Sequence, residues 1–311
     1  KLWKFYFTIH GLTKINGYYL LKKKFVGYQI YTLKDKFKFE DIECAIIWNL
    51  PDNIFKKLSR LKVIFSLGAG VDHILKLPSY KDTPIFRIKD TNMSKRMFNH
   101  ILSQVLYYQL KLKKFENGKI KKKWLEEEET LLNQQITIGI LGAGFLGNEV
   151  GKNLKKLNYN IIGYKNSKNN TKIPFKVFTK NQIDIFLKKS DIVVSILPAT
   201  LATNNFIDKT FLKKMKKEGL LINVGRGNSI NEKHLINHLI KNKDFYVSLD
   251  VFKNEPLTKN HKFWDLPNIT ITPHIAAVTD IESSVNYIFK RINSIKKVKK
   301  IKSEVNLKKG Y

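Results

Sequence analysis

The chain has 311 residues, more than a single hydrophobic core usually organises, so two domains are expected. Its 43% hydrophobic and 12% aromatic residues exclude a globally disordered chain, and no apolar run reaches the ~20 residues of a membrane-spanning helix. The formal net charge is +31, yet only five of the 57 basic residues are arginines: Arg60, Arg87, Arg96, Arg226 and Arg291. A surface built to read phosphate would favour the bidentate guanidinium. A lysine excess accompanied by abundant Asn, Ile and Phe follows instead from A/T-rich codons. Neither specific nucleic-acid binding nor membrane binding is therefore expected, although the field attracts small anions in a salt-dependent way.

The first ten residues, KLWKFYFTIH, are too short and too interrupted by charge for a secretion signal and read as a strand, Trp3–Ile9. Cys44 is the only cysteine and has no internal partner, which fits a reducing, cytoplasmic setting. Further strands are expected at Ala45–Trp48, Val63–Ser66 and Ile85–Ile88, with helical stretches between them. Asn99–Leu112 has apolar residues at helical spacing. Residues 111–130 read as a charged connector whose acidic run is solvated. A second βα series follows, with strands at Ile136–Leu141, Asn160–Tyr164, Asp191–Leu197, Gly219–Val224, Phe245–Asp250 and Ile269–Thr272. From Thr279 to about Lys300 the pattern is helical again, and a basic tail closes the chain. Such alternation predicts parallel sheets covered by helices. The expected fold is two-domain α/β, with a Rossmann-like nucleotide domain inserted in a smaller flavodoxin-like α/β substrate domain. Residues 1–98 would form the substrate domain, 99–280 the nucleotide domain, and 281–311 a C-terminal helix and tail returning to the first.

The strongest local signal is GILGAGFLG, in which an apolar strand runs into Gly142, Gly144 and Gly147 and then into a helical pattern. That strand–turn–helix context separates a dinucleotide-binding loop from an ordinary glycine-rich turn. Gly142 permits the tight turn, Gly144 lets backbone approach a pyrophosphate, and Gly147 allows close helix packing. The helix N-terminus then offers N–H groups to the phosphates. The next strand ends in Tyr164, Lys165, Asn166, Ser167 and Lys168, without the acid that would bind a ribose 2′-hydroxyl. Lys165, Ser167 and Lys168 suit a 2′-phosphate, so NADP(H) is expected over NAD(H).

Three further segments fall after later strands, where open α/β sheets bind their ligands. Arg226 follows an apolar strand between two glycines and offers a guanidinium to hold a carboxylate and polarise a carbonyl. His274, in TPHIAA, suits the proton transfer that follows carbonyl reduction. Glu255, in LDVFKNEP, would fix its ring, and Asp250 would orient the neighbourhood. Taken alone, His274 is equally well a capping histidine; the set of three favours catalysis. In the first half, LGAGVD is either a nest of N–H groups for a substrate carboxylate or a plain turn, and Trp48 is either a pocket wall or core. His73, His100, His234, His238 and His261 lack such framing, and no metal site is expected.

These segments, in this order, resemble the D-2-hydroxyacid dehydrogenase family, and within it the glyoxylate/hydroxypyruvate reductases. The likeness rests on LGAGVDHIL, DTNM at 90–93, SQVL at 103–106, GILGAGFLG, LDVFKNEPL, TPHIAAVT and the terminal VNLKKGY. The resemblance implies NADPH-dependent reduction of glyoxylate to glycolate and of hydroxypyruvate to D-glycerate by a homodimer. It implies Arg226, Glu255 and His274 as catalytic residues, and Trp48, Ala69, Gly70 and Arg226 as substrate contacts. Cofactor contacts would come from Gly142, Gly144, Phe145, Leu146, Gly147, Tyr164, Lys165, Ser167, Lys168, Leu197, Pro198, Val224, Gly225, Arg226, Asp250, His274 and Ala276. The family usually carries arginines at the 2′-phosphate segment where this chain has lysines, and Leu-Ala where Val224-Gly225 precedes Arg226. The alternatives are an NAD-dependent phosphoglycerate or lactate dehydrogenase, or a non-catalytic nucleotide-sensing protein of the same fold.

Overall fold

A computed structural model describes residues 3–8, 13–88, 90–166, 173–298, 300–306 and 310. In chain order the strands are β1 (Lys4–Thr8), β2 (Gln29–Tyr31), β3 (Cys44–Ile47), β4 (Val63–Ser66), β5 (Ile85–Arg87), β6 (Thr137–Leu141), β7 (Asn160–Tyr164), β8 (Lys176–Phe178), β9 (Ile192–Ser195), β10 (Leu220–Asn223), β11 (Tyr246–Leu249) and β12 (Ile269–Ile271). The helices are α1 (Thr13–Lys24), α2 (Asp52–Phe55), α3 (Asp72–Leu75), α4 (Thr91–Gln109), α5 (Leu112–Ile120), α6 (Phe145–Lys156), α7 (Ile183–Lys189), α8 (Lys209–Lys214), α9 (Glu232–Lys241) and α10 (Ile281–Ile295). They form two compact units, Lys1–Met93 with Thr279–Tyr311, and Ser94–Val278.

In the first unit the sheet order is β2-β1-β3-β4-β5, and every pairing is parallel. This is the flavodoxin-like order, with its reversal between β1 and β3. β3 (CAII) and β4 (VIFS) are buried at every residue, which is why they read as continuous apolar runs rather than alternating ones. Cys44 is buried at the start of β3, and burial pushes its thiol pKa well up. Helix α10 packs against α1 through Phe289 on Phe25, with ring centroids 5.1 Å apart. The chain beyond it bonds to β5 through Ser303 and Glu304 and seats Val305 in the core beside Tyr6 and Ile42.

In the second unit seven parallel strands run in the order β12-β11-β10-β9-β6-β7-β8. This is the doubly wound dinucleotide order extended by one strand, reversing between β6 and β9. The registers are in phase: Leu141 pairs with Ser195, Ser195 with Asn223, Asn223 with Leu249, and Leu249 with Ile271. The carboxyl ends of these five strands are therefore aligned on one edge. Beneath them Phe186, fully buried on α7, packs against Tyr164 and Phe178 at centroid distances of 5.6 and 6.3 Å.

The structure departs from the sequence reading in local elements. β2 and β8 are three-residue strands that periodicity did not separate from loop. Helix α4 begins at Thr91 rather than Asn99, with Asp90 accepting from the Asn92 N–H at 2.9 Å. The charged connector contains α5; its acidic run is largely exposed, as expected, with Glu128 pairing to Lys111 and Lys114 at 2.8 and 3.2 Å. Phe186→Ala should cost about 3–5 kcal/mol, read as a lower urea midpoint at unchanged slope, because the sheet cannot collapse onto the vacated volume.

Candidate active site

The glycine-rich turn sits at the strand-order reversal of the second unit. Gly142 has φ +103°, and its N–H and that of Ala143 donate to the Tyr164 carbonyl at 3.0 and 3.3 Å. A Cβ on Gly147 would overlap the Gly142 carbonyl, so α6 can rise this close to the turn only with glycine there. Gly144 is the N-cap of α6; it brings no capping side chain, and a Cβ built on it would meet nothing within 4 Å. The first turn of a twelve-residue helix thus faces open space with its N–H groups and dipole, as a pyrophosphate requires. Phe145 is exposed beside it and Leu146 half-buried. The residues present therefore fit a dinucleotide.

At the end of β7 the expected residues divide. Tyr164 turns its ring into the core, against Phe186 and Phe206, and contributes to the turn through its carbonyl. Lys165 is half-buried and Asn166 exposed; Ser167 and Lys168 lie outside the described residues. Leu197, after β9, is buried beside Pro198, whose carbonyl accepts from Thr203 Oγ1 at 2.5 Å. Val224 donates its N–H to the Ser195 carbonyl at 3.1 Å, and Gly225 lies so close to Leu197 that a Cβ would come within 2.6 Å of its backbone nitrogen.

Arg226 follows directly. Its carbonyl accepts from Asn223 Nδ2 (3.1 Å), Ser229 Oγ (2.7 Å) and the Ser229 N–H (3.2 Å), while Asn223 Oδ1 takes the Gly225 N–H at 3.2 Å. The fully buried Asn223 was not anticipated. Its signal is an amide ending an otherwise apolar strand, LLIN, where an unpaired polar side chain would be costly.

The segments after β11 and β12 meet through one carboxylate. Asp250 is 1% exposed; its Oδ1 accepts from Thr272 Oγ1 (2.6 Å) and the Ile275 N–H (2.9 Å), and its Oδ2 from the Ala276 N–H (2.9 Å). Its carbonyl takes the His274 N–H at 2.8 Å. His274 has φ +56°, a left-handed conformation that a non-glycine residue holds only when its surroundings impose it. His274 Nδ1 lies 2.7 Å from Glu255 Oε2, and Glu255 Oε1 accepts the Phe252 N–H at 2.9 Å. With Glu255 ionised, Nδ1 carries the proton of this bond and Nε2 is left to exchange one. The two side chains are 39% and 36% exposed, so the pair is open to a ligand. Burial alone would raise the Glu255 pKa, but bonds from His274 and the Phe252 N–H, with the charges of His274 and Arg226, hold it below the usual range. Arg226, whose Nη1 donates to the Gly225 carbonyl at 3.0 Å, is near enough for its charge to reach Glu255. Asp250 also acts on His100, whose pKa burial lowers and Asp250 partly restores.

Three of the other histidines are engaged locally. His234 and His261 accept backbone N–H groups through Nδ1, and His238 meets Phe245 edge-on. Among the described residues no group of three or more His, Cys, Asp or Glu side chains is arranged to hold a metal ion. Nor is any described helix long and apolar enough to cross a membrane. In the first unit, Trp48 follows β3, and Ala69 and Gly70 lie in the turn after β4, on the carboxyl edge of that sheet.

A doubly wound sheet with a glycine-rich turn at its reversal and an imidazole–carboxylate pair on the same edge has the architecture of dinucleotide-dependent dehydrogenases. Residues 102–276 match a family model described as D-isomer specific 2-hydroxyacid dehydrogenase, NAD binding domain. The glyoxylate/hydroxypyruvate reductase A of Escherichia fergusonii is 32% identical over 273 residues, covering 86% of this chain and 87% of the relative. That of Enterobacter sp. strain 638 is 32% identical over 278 residues, 88% of each chain. Among solved structures, an NADPH-dependent glyoxylate/hydroxypyruvate reductase from Sinorhizobium meliloti, in complex with NADP and sulfate, superposes with a TM-score of 0.92 at 27% identity. That match covers 99% of this chain and all of the other. A D-isomer specific 2-hydroxyacid dehydrogenase from Xanthobacter autotrophicus Py2, in complex with NADPH and MES, gives a TM-score of 0.92 at 25% identity over the whole of both chains. The chain belongs to the D-isomer-specific 2-hydroxyacid dehydrogenase family and is an oxidoreductase of that family.

Two consequences can be measured. Asp250→Ala leaves two backbone N–H groups and the Thr272 hydroxyl without their acceptor and should destabilise the protein by about 2 kcal/mol or more in urea melts. A carboxyl with a depressed folded pKa stabilises the native state above its ordinary value of 4.5 and loses that contribution as pH falls through the lower folded value. Glu255→Gln should therefore melt below wild type at about pH 7, with the gap narrowing as pH falls below 4.5; a gap that persists undiminished in acid would mean the carboxylate charge is not its source.

Proposed function

We propose that the protein is an NADPH-dependent reductase of small 2-oxo acids, converting glyoxylate to glycolate and hydroxypyruvate to D-glycerate. The observation that carries this reading is the His274–Glu255 pair, 2.7 Å apart, on the sheet edge that also bears Arg226 and the glycine-rich turn. The names of the relatives support the substrates, and the NADP and NADPH complexes of two structural neighbours support the cofactor.

Gly142, Gly144, Phe145, Leu146 and Gly147 would hold the pyrophosphate, and Lys165, Ser167 and Lys168 the 2′-phosphate. The Tyr164 carbonyl braces that turn. Leu197, Pro198, Val224, Gly225, Asp250 and Ala276 would line the path from the turn toward His274. At about 4.8 Å per strand, β6 and β11 are separated by roughly 14 Å, a span that suits an extended dinucleotide. When bound, the reduced nicotinamide supplies a hydride to C2 of the acid.

The rest falls to the side chains. Arg226 binds the substrate carboxylate and draws charge from the carbonyl. His274 gives the Nε2 proton to the oxygen as negative charge develops there, and Glu255 offsets the ring charge before transfer and fixes its plane. Asp250 acts through the loop it holds. In the first unit, Trp48, Ala69 and Gly70 are the residues proposed to meet the substrate. The reading includes a homodimer working in the cytoplasm, as the family habit and the solitary buried thiol suggest.

A panel of 2-oxo acids, followed by loss of reduced-nicotinamide absorbance with NADPH and then NADH, tests it: glyoxylate and hydroxypyruvate should be the best substrates, and NADPH the faster donor. His274→Ala should lower kcat by about 10²–10⁴ while NADPH binding, titrated by fluorescence, is retained. Wild-type turnover in purified His274→Ala would remove the assignment.

A further inference from the structure

The turn after β4 carries an arrangement that the reaction alone does not explain. Ile47 of β3 pairs with Ser66 of β4, and the Leu67 N–H donates to the Ile47 carbonyl at 3.1 Å. Just beyond these strand ends, Trp48 and Gly68 lie against each other. A Cβ built on Gly68 would stand 2.9 Å from Trp48 Cη2 and 3.1 Å from Cε3, and still closer to Cζ3. The indole lies directly on glycine backbone, in space that any side chain at position 68 would fill. Against the same indole packs the imidazole of His73, with ring centroids 4.4 Å apart and planes at 52°. His73 is fixed in turn by α3, and both its ring nitrogens are buried. The turn is tied across by Ser66 Oγ, which donates to the Gly70 carbonyl at 2.8 Å. Trp48 thus has a backbone floor and an imidazole brace, and that floor, Gly68, directly precedes Ala69.

We infer that Gly68 and His73 set the position of Trp48 and, through it, the largest 2-oxo acid side chain the protein accepts. This rests on the proposal that Trp48 and the Ala69–Gly70 turn meet the substrate. A bulky ring limits ligand size only if it cannot swing away. An indole has few rotatable bonds, and contacts on two sides leave it little freedom. A methyl group at position 68 lifts the ring from the turn, and loss of the imidazole removes the contact that keeps the ring from moving away. Either change opens room beside the residues proposed to hold the carboxylate. One or two methylenes of extra room are worth about 10-fold or more in discrimination.

The test compares wild type with Gly68→Ala, His73→Ala and Trp48→Ala. It uses glyoxylate and 2-oxobutanoate as substrates and 19F spectra of protein carrying 5-fluorotryptophan at its four tryptophans. Gly68→Ala and His73→Ala should each shift the Trp48 resonance, identified by its absence from Trp48→Ala, and leave the other three in place. Each should lower the kcat/KM preference for glyoxylate by about 10-fold or more, as Trp48→Ala does. His73→Ala should keep its kcat on saturating glyoxylate, and it carries the test alone should Gly68→Ala not fold. A preference altered by Trp48→Ala but by neither of the others, or an unmoved Trp48 resonance, overturns the inference and leaves the proposed reaction standing. A preference unaltered even in Trp48→Ala overturns it by removing the wall. A wild type that reduces no 2-oxo acid overturns the reading beneath it as well.

Discussion

The candidate site depends on the buried carboxylate of Asp250. Three donors from the loop after β12 converge on its two oxygens, and its own carbonyl takes a fourth from His274. A charge this deeply buried is tolerable only when hydrogen-bonded, and here the partners are the loop that carries the candidate acid. The left-handed backbone of His274 follows from that anchoring and turns the imidazole back to Glu255, which is tethered in its turn by the Phe252 N–H. Without the Asp250 anchor the sheet would still form, but nothing would hold an imidazole and a carboxylate from different strands at hydrogen-bonding distance.

The in-phase registers of the parallel sheet supply the second constraint. Because β6, β9, β10, β11 and β12 end on one line, five segments far apart in sequence reach one edge. Most of this was legible in the sequence. Strands buried on both faces must be continuous apolar runs, and the loops that follow must carry the polar residues, so the order of strands and candidate residues could be read directly. The glycine-rich turn was legible because its residue types are dictated by backbone geometry rather than by distant neighbours.

What stayed hidden depends on contacts made across the fold. Helix α5 has a charged, weakly amphipathic sequence, and its surroundings are secured by Glu128, Lys111, Lys114 and the Tyr107–Glu116 bond, which no periodicity reveals. β2 and β8 are too short to display a period. Tyr164 stood in sequence beside Lys165 and so looked like part of a polar segment, but strand alternation turns its ring inward. Asn223 gave no separate sequence signal, because its partners, Gly225 and Arg226, come within its reach only where the chain bends.

The solitary thiol of Cys44 gives the first unit a built-in reporter. It is sealed inside β3 and its pKa is well raised, so an alkylating reagent in solution can reach it only while that sheet is open. The labelling rate under native conditions is then a clock for how often the first unit opens. With no second cysteine to complicate the signal, that stability can be followed in the intact chain without denaturant.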